Sequence, residues 1–192
     1  MNKSKMIRTI FALGAAMLLV TVDLPAIATA QAVPMSAKDV VKAKPYVSLD
    51  RVPRGKDFEV AIVATIHEGY HMNSHHPLDS YLIPTTMTVK PPEGIKVLDT
   101  IYPPGRDKKF PFSPTKPLNV YTGSVTLRLR LKAEPSAKIG ATTIPVTLRY
   151  QACNDSACLP PVKIPVNVPV QVAAAGATSH PANKAIFEKP GI

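Results

Sequence analysis

Alternation of apolar and polar residues is the clearest pattern in the chain, and it predicts β-strands. Between Ser124 and Ala133, Val and Leu take every second position, and Thr, Arg and Lys take the positions between them. Because successive side chains of a strand leave opposite faces, this segment has one buried and one solvated face. Phe58 to Ile66 shows the same period of two. Such alternation is typical of antiparallel sheets.

Less regular segments predict further strands at 85–90, 95–102, 142–151 and 162–172. Pro145, Pro165 and Pro169 indicate edge positions or bulges within two of them. No segment has a convincing helical period. Seven or eight short strands in about 130 residues predict an all-β fold, an immunoglobulin-like antiparallel β-sandwich.

Four segments lack a strand pattern. His67 to Ser80 is polar and predicts a loop or an irregular strand. Residues 103–119 contain five prolines and two phenylalanines, and they predict a long loop of the kind that is often functional. Residues 31–45 are expected to form a leader segment. The Ala/Gly/Pro/Ser-biased residues 173–192 are expected to form a flexible C-terminal tail.

Residues 1–30 are expected to be a signal peptide. Lys3, Lys5 and Arg8 precede an apolar run, and Ala28-Thr29-Ala30 is a cleavage pattern that places the cut after Ala30. The apolar run is shorter than the ~20 residues that a transmembrane helix needs. We therefore expect an exported, periplasmic protein.

Charge changes this interpretation little. The chain carries 23 basic and 13 acidic residues; removing the signal peptide leaves 20 and 12, a net charge of +8. The charges are scattered and not interleaved with aromatic residues, so nucleic-acid binding is not predicted. We expect no cofactor, no small-molecule substrate and a monomeric state.

Cys153 and Cys158 are the only cysteines, and in an oxidising compartment they are expected to form a disulfide. Closing so short a loop stabilises a fold by only about 2 kcal/mol, which makes a purely structural bond a weak explanation. Arg149 and Lys163 would favour a thiolate, whereas Asp155 would oppose one. The residues alone leave redox exchange and a structural clip as equal alternatives.

Four histidines, His67, His71, His75 and His76, lie within ten residues. On a helix, three of them would share a face and could bind a metal ion, with copper favoured by the nearby Met72. On a strand they would spread too far apart for one ion. Solvated loop histidines are the simpler interpretation, and a copper-binding protein is kept as an alternative.

The segments around the cysteines resemble a known family. Tyr150-Gln151-Ala152-Cys153 followed by Cys158-Leu159-Pro160-Pro161 is similar to the active-site hairpin of the N-terminal periplasmic domain of the thiol:disulfide interchange protein DsbD. Supporting matches occur in the family's order at 69–73, 81–85, 102–103 and 120–123. The resemblance covers 46–172, which is the expected domain, and its family fold is immunoglobulin-like.

The resemblance implies a set of site residues. Cys153 and Cys158 would cycle between dithiol and disulfide, and a cap loop at 103–119 would shield them with Phe110 or Phe112. The implied surroundings of the pair are Tyr70, His71, Asn73, Tyr150, Gln151 and Asp155. The chain departs from the family's best-known member in having one residue fewer between its cysteines. It also has His71 and Asn73 where that member has aromatic residues.

The function implied by the resemblance is thiol:disulfide exchange, in a stand-alone exported protein with protein-disulfide reductase activity. Electrons would come from a membrane-embedded dithiol relay and pass to oxidised thioredoxin-like periplasmic proteins, a role connected with cytochrome c biogenesis. The alternative is a non-catalytic immunoglobulin-like binding module with a structural disulfide.

Overall fold

The computed structural model describes residues 35–188 of the chain. The predicted signal peptide and the first residues of the predicted leader lie outside this range. Within it the chain forms twelve strands and one short helix. They are β1 (Val41–Val47), β2 (Val52–Pro53), β3 (Asp57–Ile66), β4 (His71–Asn73), β5 (Thr86–Val89), β6 (Ile95–Ile101), β7 (Arg106–Phe110), β8 (Ser113–Tyr121), β9 (Ser124–Ala133), β10 (Gly140–Tyr150), β11 (Ala152–Cys153), β12 (Val162–Ala173) and α1 (Lys184–Phe187).

The strands form three sheets of four, in the orders β1-β3-β9-β6, β2-β12-β10-β5 and β11-β4-β8-β7. Neighbouring strands are antiparallel except for β2 and β12. The first two sheets supply most of the main hydrophobic core, which includes Leu127 and Leu129 of β9 and Ile144 and Leu148 of β10. The fold is an immunoglobulin-like antiparallel β-sandwich, which confirms the prediction.

Strand β9 shows why the alternating pattern was informative. It lies between β3 and β6 in its sheet, and Val125, Leu127, Leu129 and Leu131 are all at most 2% exposed. The residues between them are half-buried or exposed. The strand buries every second side chain against the core, and this accounts for its alternating sequence.

Prolines mark strand edges in the second sheet. Pro165 and Pro169 of β12 face β10 on one side. On the other side, β2 pairs only with Val172 and Ala173, at the far end of the strand. Most of β12 is thus an edge, where a residue without an N–H group is tolerated.

The interpretation of 103–119 as a loop was wrong, because β7 and β8 pair here as a hairpin. The first four residues of β7 are all exposed, so the hairpin has no alternating pattern to reveal it. Pro114 and Pro117 occupy a part of β8 that has only β7 beside it, since β4 pairs with Val120 and Tyr121. We call residues 106–121 the cap hairpin.

The C-terminal segment folds back onto the sandwich. Pro181 forms a bridge with Leu49, the Ala182 N–H donates to the carbonyl of Ser48, and α1 follows. The flexibility expected of the tail stays a prediction, although its described part makes these contacts. Among residues 35–188, no helix is long and apolar enough to cross a membrane.

Candidate active site

A disulfide joins Cys153 and Cys158, as predicted. The two residues face each other as an antiparallel bridge, with their Cα atoms 3.9 Å apart. The turn between them is closed by Asn154, whose Oδ1 accepts hydrogen bonds from the N–H groups of Ser156 and Ala157 at 2.9 and 2.8 Å. An Asx turn of this kind brings the cysteines together through local chemistry alone.

The two sulfur-bearing residues differ in exposure. Cys153 is 0% exposed and belongs to β11, whereas Cys158 is exposed at the end of the turn. Thiol–disulfide exchange requires an attacking thiolate to reach one sulfur in line with the bond. Of the two cysteine residues, Cys158 is therefore the one that is accessible from solvent.

Gln151 and Asn73 connect the cysteine turn to its surroundings. The Oε1 atom of Gln151 accepts hydrogen bonds from Asn73 Nδ2 at 3.2 Å and from the Ile83 N–H at 3.3 Å, and Nε2 donates to the Leu159 carbonyl at 3.4 Å. Asn73, which is fully buried, also donates from Nδ2 to the Ile83 carbonyl at 3.1 Å. These bonds hold three chain segments around the disulfide.

His71 lies beside the buried cysteine. It is the residue paired with Cys153 in the register of β4 and β11, and it is 2% exposed. Its Nε2 atom is buried and has no hydrogen-bond partner. Burial lowers the pKa of His71 to about 4; the positive charge of Lys108 also lowers it, and Asp155 raises it. The imidazole is therefore neutral at ordinary pH.

The cap hairpin covers this histidine. The Phe110 ring stacks on His71 with centroids 4.0 Å apart, and Phe112 stacks on Phe110 at 5.4 Å. Phe110 is 2% exposed and packs with Leu82 and other apolar residues, whereas Phe112 is 44% exposed. The Nζ atom of Lys108 lies 5.1 Å from the Phe110 ring centroid. The hairpin tip thus places the buried Phe110 ring against His71 and the exposed Phe112 ring on the outer side of Phe110.

The other predicted site residues have different surroundings. The Tyr150 hydroxyl donates to the Ala37 carbonyl at 2.7 Å, and burial raises its pKa to about 12. Tyr70 is half-buried and makes an edge contact with His67 at 6.1 Å. Asp155 is exposed in the turn between the cysteines. Of these three, only Asp155 is connected to His71, through its charge.

Sequence reasoning did not assign roles to Lys108, Leu82 or Ile83. Lys108 acts on His71 by its charge, Leu82 packs with Phe110, and Ile83 bonds to Gln151 and Asn73. The available signal for the last two was the 81–85 match to the family. Nothing in the sequence distinguished Lys108 from Lys109.

Among the remaining histidines, the rings of His75 and His76 are in edge contact, with centroids 4.6 Å apart. His67 is exposed and its Nδ1 lies 2.8 Å from the carbonyl oxygen of Glu68. His75 stacks on Tyr102 at 3.6 Å and its Nδ1 lies 2.8 Å from the carbonyl oxygen of Thr85. Over residues 35–188, no three His, Cys, Asp or Glu side chains form a group able to hold a metal ion.

The sequence matches the family model described as "Thiol:disulfide interchange protein DsbD, N-terminal" over residues 37–170. No curated protein matches the sequence.

Among solved structures, the fold is similar to the N-terminal periplasmic domain of ScsB from Proteus mirabilis. The TM-score is 0.50 at 13% identity, and the match covers 71% of this chain and 49% of that one. This chain thus spans about half the length of the ScsB structure, and the likeness concerns the fold alone. A family 123 glycoside hydrolase from Clostridium perfringens matches with a TM-score of 0.28 and 12% identity, over 70% of this chain and 28% of that one. A likeness that weak supports no argument.

Proposed function

Because the chain belongs to the family of the N-terminal domain of the thiol:disulfide interchange protein DsbD, we propose that it reduces oxidised thioredoxin-like proteins through Cys153 and Cys158. The observation that carries this proposal is the asymmetric disulfide, with Cys158 exposed and Cys153 buried. One sulfur is open to a partner, and the other is kept for the internal step.

The exchange proceeds in two steps that balance electrons. In the reduced protein the Cys158 thiolate attacks one sulfur of the partner's disulfide, which forms a mixed disulfide and releases the other partner cysteine as a thiolate. Cys153 then attacks Cys158, which re-forms the internal disulfide and releases the second partner cysteine. Two electrons pass to the partner, and the two protons of the dithiol finish on the partner's thiolates.

The cap hairpin acts as a shield in this proposal. Phe110 covers His71, the cross-strand neighbour of Cys153. A ring in this position keeps small oxidants from the buried Cys153, while the exposed Cys158 stays open to a macromolecular partner. Phe112, which is largely exposed, is the ring that such a partner meets first.

The remaining parts of the proposal follow from the family. The sandwich, which includes β1 from Val41 onward, works in the periplasm as a monomer, after removal of residues 1–30. A membrane-embedded dithiol relay protein supplies its electrons, and cytochrome c biogenesis is one process that uses reduced thioredoxin-like proteins of this kind.

Trapping tests the proposal. Reduced Cys153→Ser protein should form a stable mixed disulfide with an oxidised thioredoxin-like protein, because Cys158 remains and nothing resolves the intermediate. Reduced Cys158→Ser protein, matched to it in composition, should trap little. Both are read by non-reducing electrophoresis and mass spectrometry.

Failure of both variants to trap a partner would favour a structural disulfide. A reduction potential below about −300 mV would favour it as well, since structural disulfides resist reduction to that level.

A further inference from the structure

The relation of His71 to Cys153 has a chemical consequence beyond packing. Directly paired residues of antiparallel strands send their side chains to the same face, with Cβ atoms about 4.5–5.5 Å apart. His71 and Cys153 form such a pair between β4 and β11, and both are buried. The nearest titratable side chain across the ladder from the buried sulfur is therefore an imidazole.

One nitrogen of the His71 imidazole makes no hydrogen bond. Its Nε2 atom is buried without a hydrogen-bond partner, although buried polar atoms are nearly always satisfied. A redox or catalytic role is one of the explanations for such an exception. The stacking of Phe110 on the ring restricts its orientation, and burial separates the ring from water.

The charged groups that act on this ring come from two elements. Lys108 of β7 opposes a positive charge on His71, and Asp155 of the cysteine turn favours one. With burial as the largest effect, the ring is neutral when the cysteines form a disulfide. A thiolate appearing at Cys153 would add a strong negative neighbour and so favour the protonated ring.

We propose that His71 accepts the thiol proton of Cys153 during the second step of exchange. The inference rests on the proposed function and deepens it by naming the base of the resolving step. The proton passes from Cys153 Sγ to His71 Nε2, and the thiolate attacks Cys158 Sγ. The bond between Cys158 and the partner sulfur breaks, the partner cysteine leaves as a thiolate, and the proton on His71 is returned to it or to solvent.

A small aromatic disulfide tests this step without any protein partner. Reduced protein reacting with 5,5′-dithiobis(2-nitrobenzoate) should release one thionitrobenzoate as Cys158 is modified, at a rate proportional to reagent concentration. The second is released as Cys153 attacks Cys158, at a rate independent of that concentration. Stopped-flow absorbance over a range of pH resolves the two.

His71→Phe is the decisive variant, because it keeps a ring against Phe110 and removes the base. We expect the second phase to slow at least about tenfold at neutral pH and its pH midpoint to rise, with the first phase unchanged. His71→Gln, a second variant of different shape, should behave alike. His75→Phe is the matched control, since His75 also stacks on a ring, that of Tyr102, and it should leave both phases unchanged.

A second phase with native rate and pH midpoint in a folded His71→Phe protein overturns the inference. That result is distinct from failure of the proposed function. If the protein trapped no thioredoxin-like protein but its second phase still required His71, the role of His71 as a base would stand and the proposed partner would be wrong.

Discussion

At the residue scale, the low pKa of His71 couples the stability of the oxidised protein to pH. The ordinary pKa of a histidine is 6.5, and burial lowers that of His71 to about 4. Between these values the unfolded chain binds a proton that the folded protein excludes. The free energy of unfolding should therefore fall as pH is lowered from 6.5 towards 4, by on the order of 2–3 kcal/mol from this group.

Urea unfolding of native protein and of His71→Phe at pH 7 and at pH 4.5 measures this effect. Carboxylates contribute to both proteins alike, so the difference between their pH slopes isolates His71. The stability of the Phe variant should depend less on pH. Equal slopes would show that His71 does not titrate abnormally.

The residue scale also shows what a sequence can and cannot reveal about this site. The cysteine pair was predictable, because its spacing, the oxidising compartment expected of an exported chain and the flanking Gln151 and Pro160 all point to it. The choice between Phe110 and Phe112 was not, since the two rings are separated by a single proline. Their difference in exposure arises from the tip of the cap hairpin, which only the tertiary structure defines.

At the scale of elements, the cap hairpin is the part of the fold that the amino-acid pattern concealed. Polar residues fill the exposed strand β7, and prolines interrupt β8 where it has a free edge. The short strands β4 and β11 were equally hidden, because two or three residues cannot display a period. The long strands of the main sandwich bury one full face, and there the pattern was decisive.

The shielding role of this hairpin predicts a contrast between its two rings. Phe110→Ala should raise the rate at which hydrogen peroxide oxidises reduced Cys153 several-fold, because it removes the ring that covers His71, the cross-strand neighbour of that cysteine. It should also lower the free energy of unfolding by about 3–5 kcal/mol, as expected for a buried phenylalanine. Phe112→Ala, the exposed neighbour, should change stability by less than about 0.5 kcal/mol.

Peroxide consumption and thiol titration, followed without denaturant, give the rates, and urea unfolding gives the stabilities. If Phe112→Ala accelerated oxidation as much as Phe110→Ala, both rings would contribute to the shield. An unchanged rate in both variants would remove the shielding role from the hairpin altogether.

At the scale of the whole molecule, the site is built at one end of a sandwich whose core does not include the disulfide. Strands β10 and β12 are antiparallel over eleven residue pairs, from Gly140–Val172 to Tyr150–Val162. The cysteine turn lies in the segment that joins the two strands at the Tyr150–Val162 end. Residues of β3, β9, β10 and β12 supply most of the core, and the cysteine turn adds only its flanking residues Ala152 and Leu159. Opening the bond should therefore leave the fold intact, as a repeating redox cycle requires.

Reduction should lower the free energy of unfolding by only about 2 kcal/mol, because the bond closes a loop of six residues. Urea unfolding with and without dithiothreitol measures the difference, and Cys153→Ala/Cys158→Ala provides the control that cannot re-oxidise. A loss much beyond this value, or loss of the native near-ultraviolet circular dichroism, would mean that the disulfide holds the sandwich together. A protein that unfolds on reduction cannot deliver electrons and return, so this measurement decides whether the architecture permits the proposed cycle.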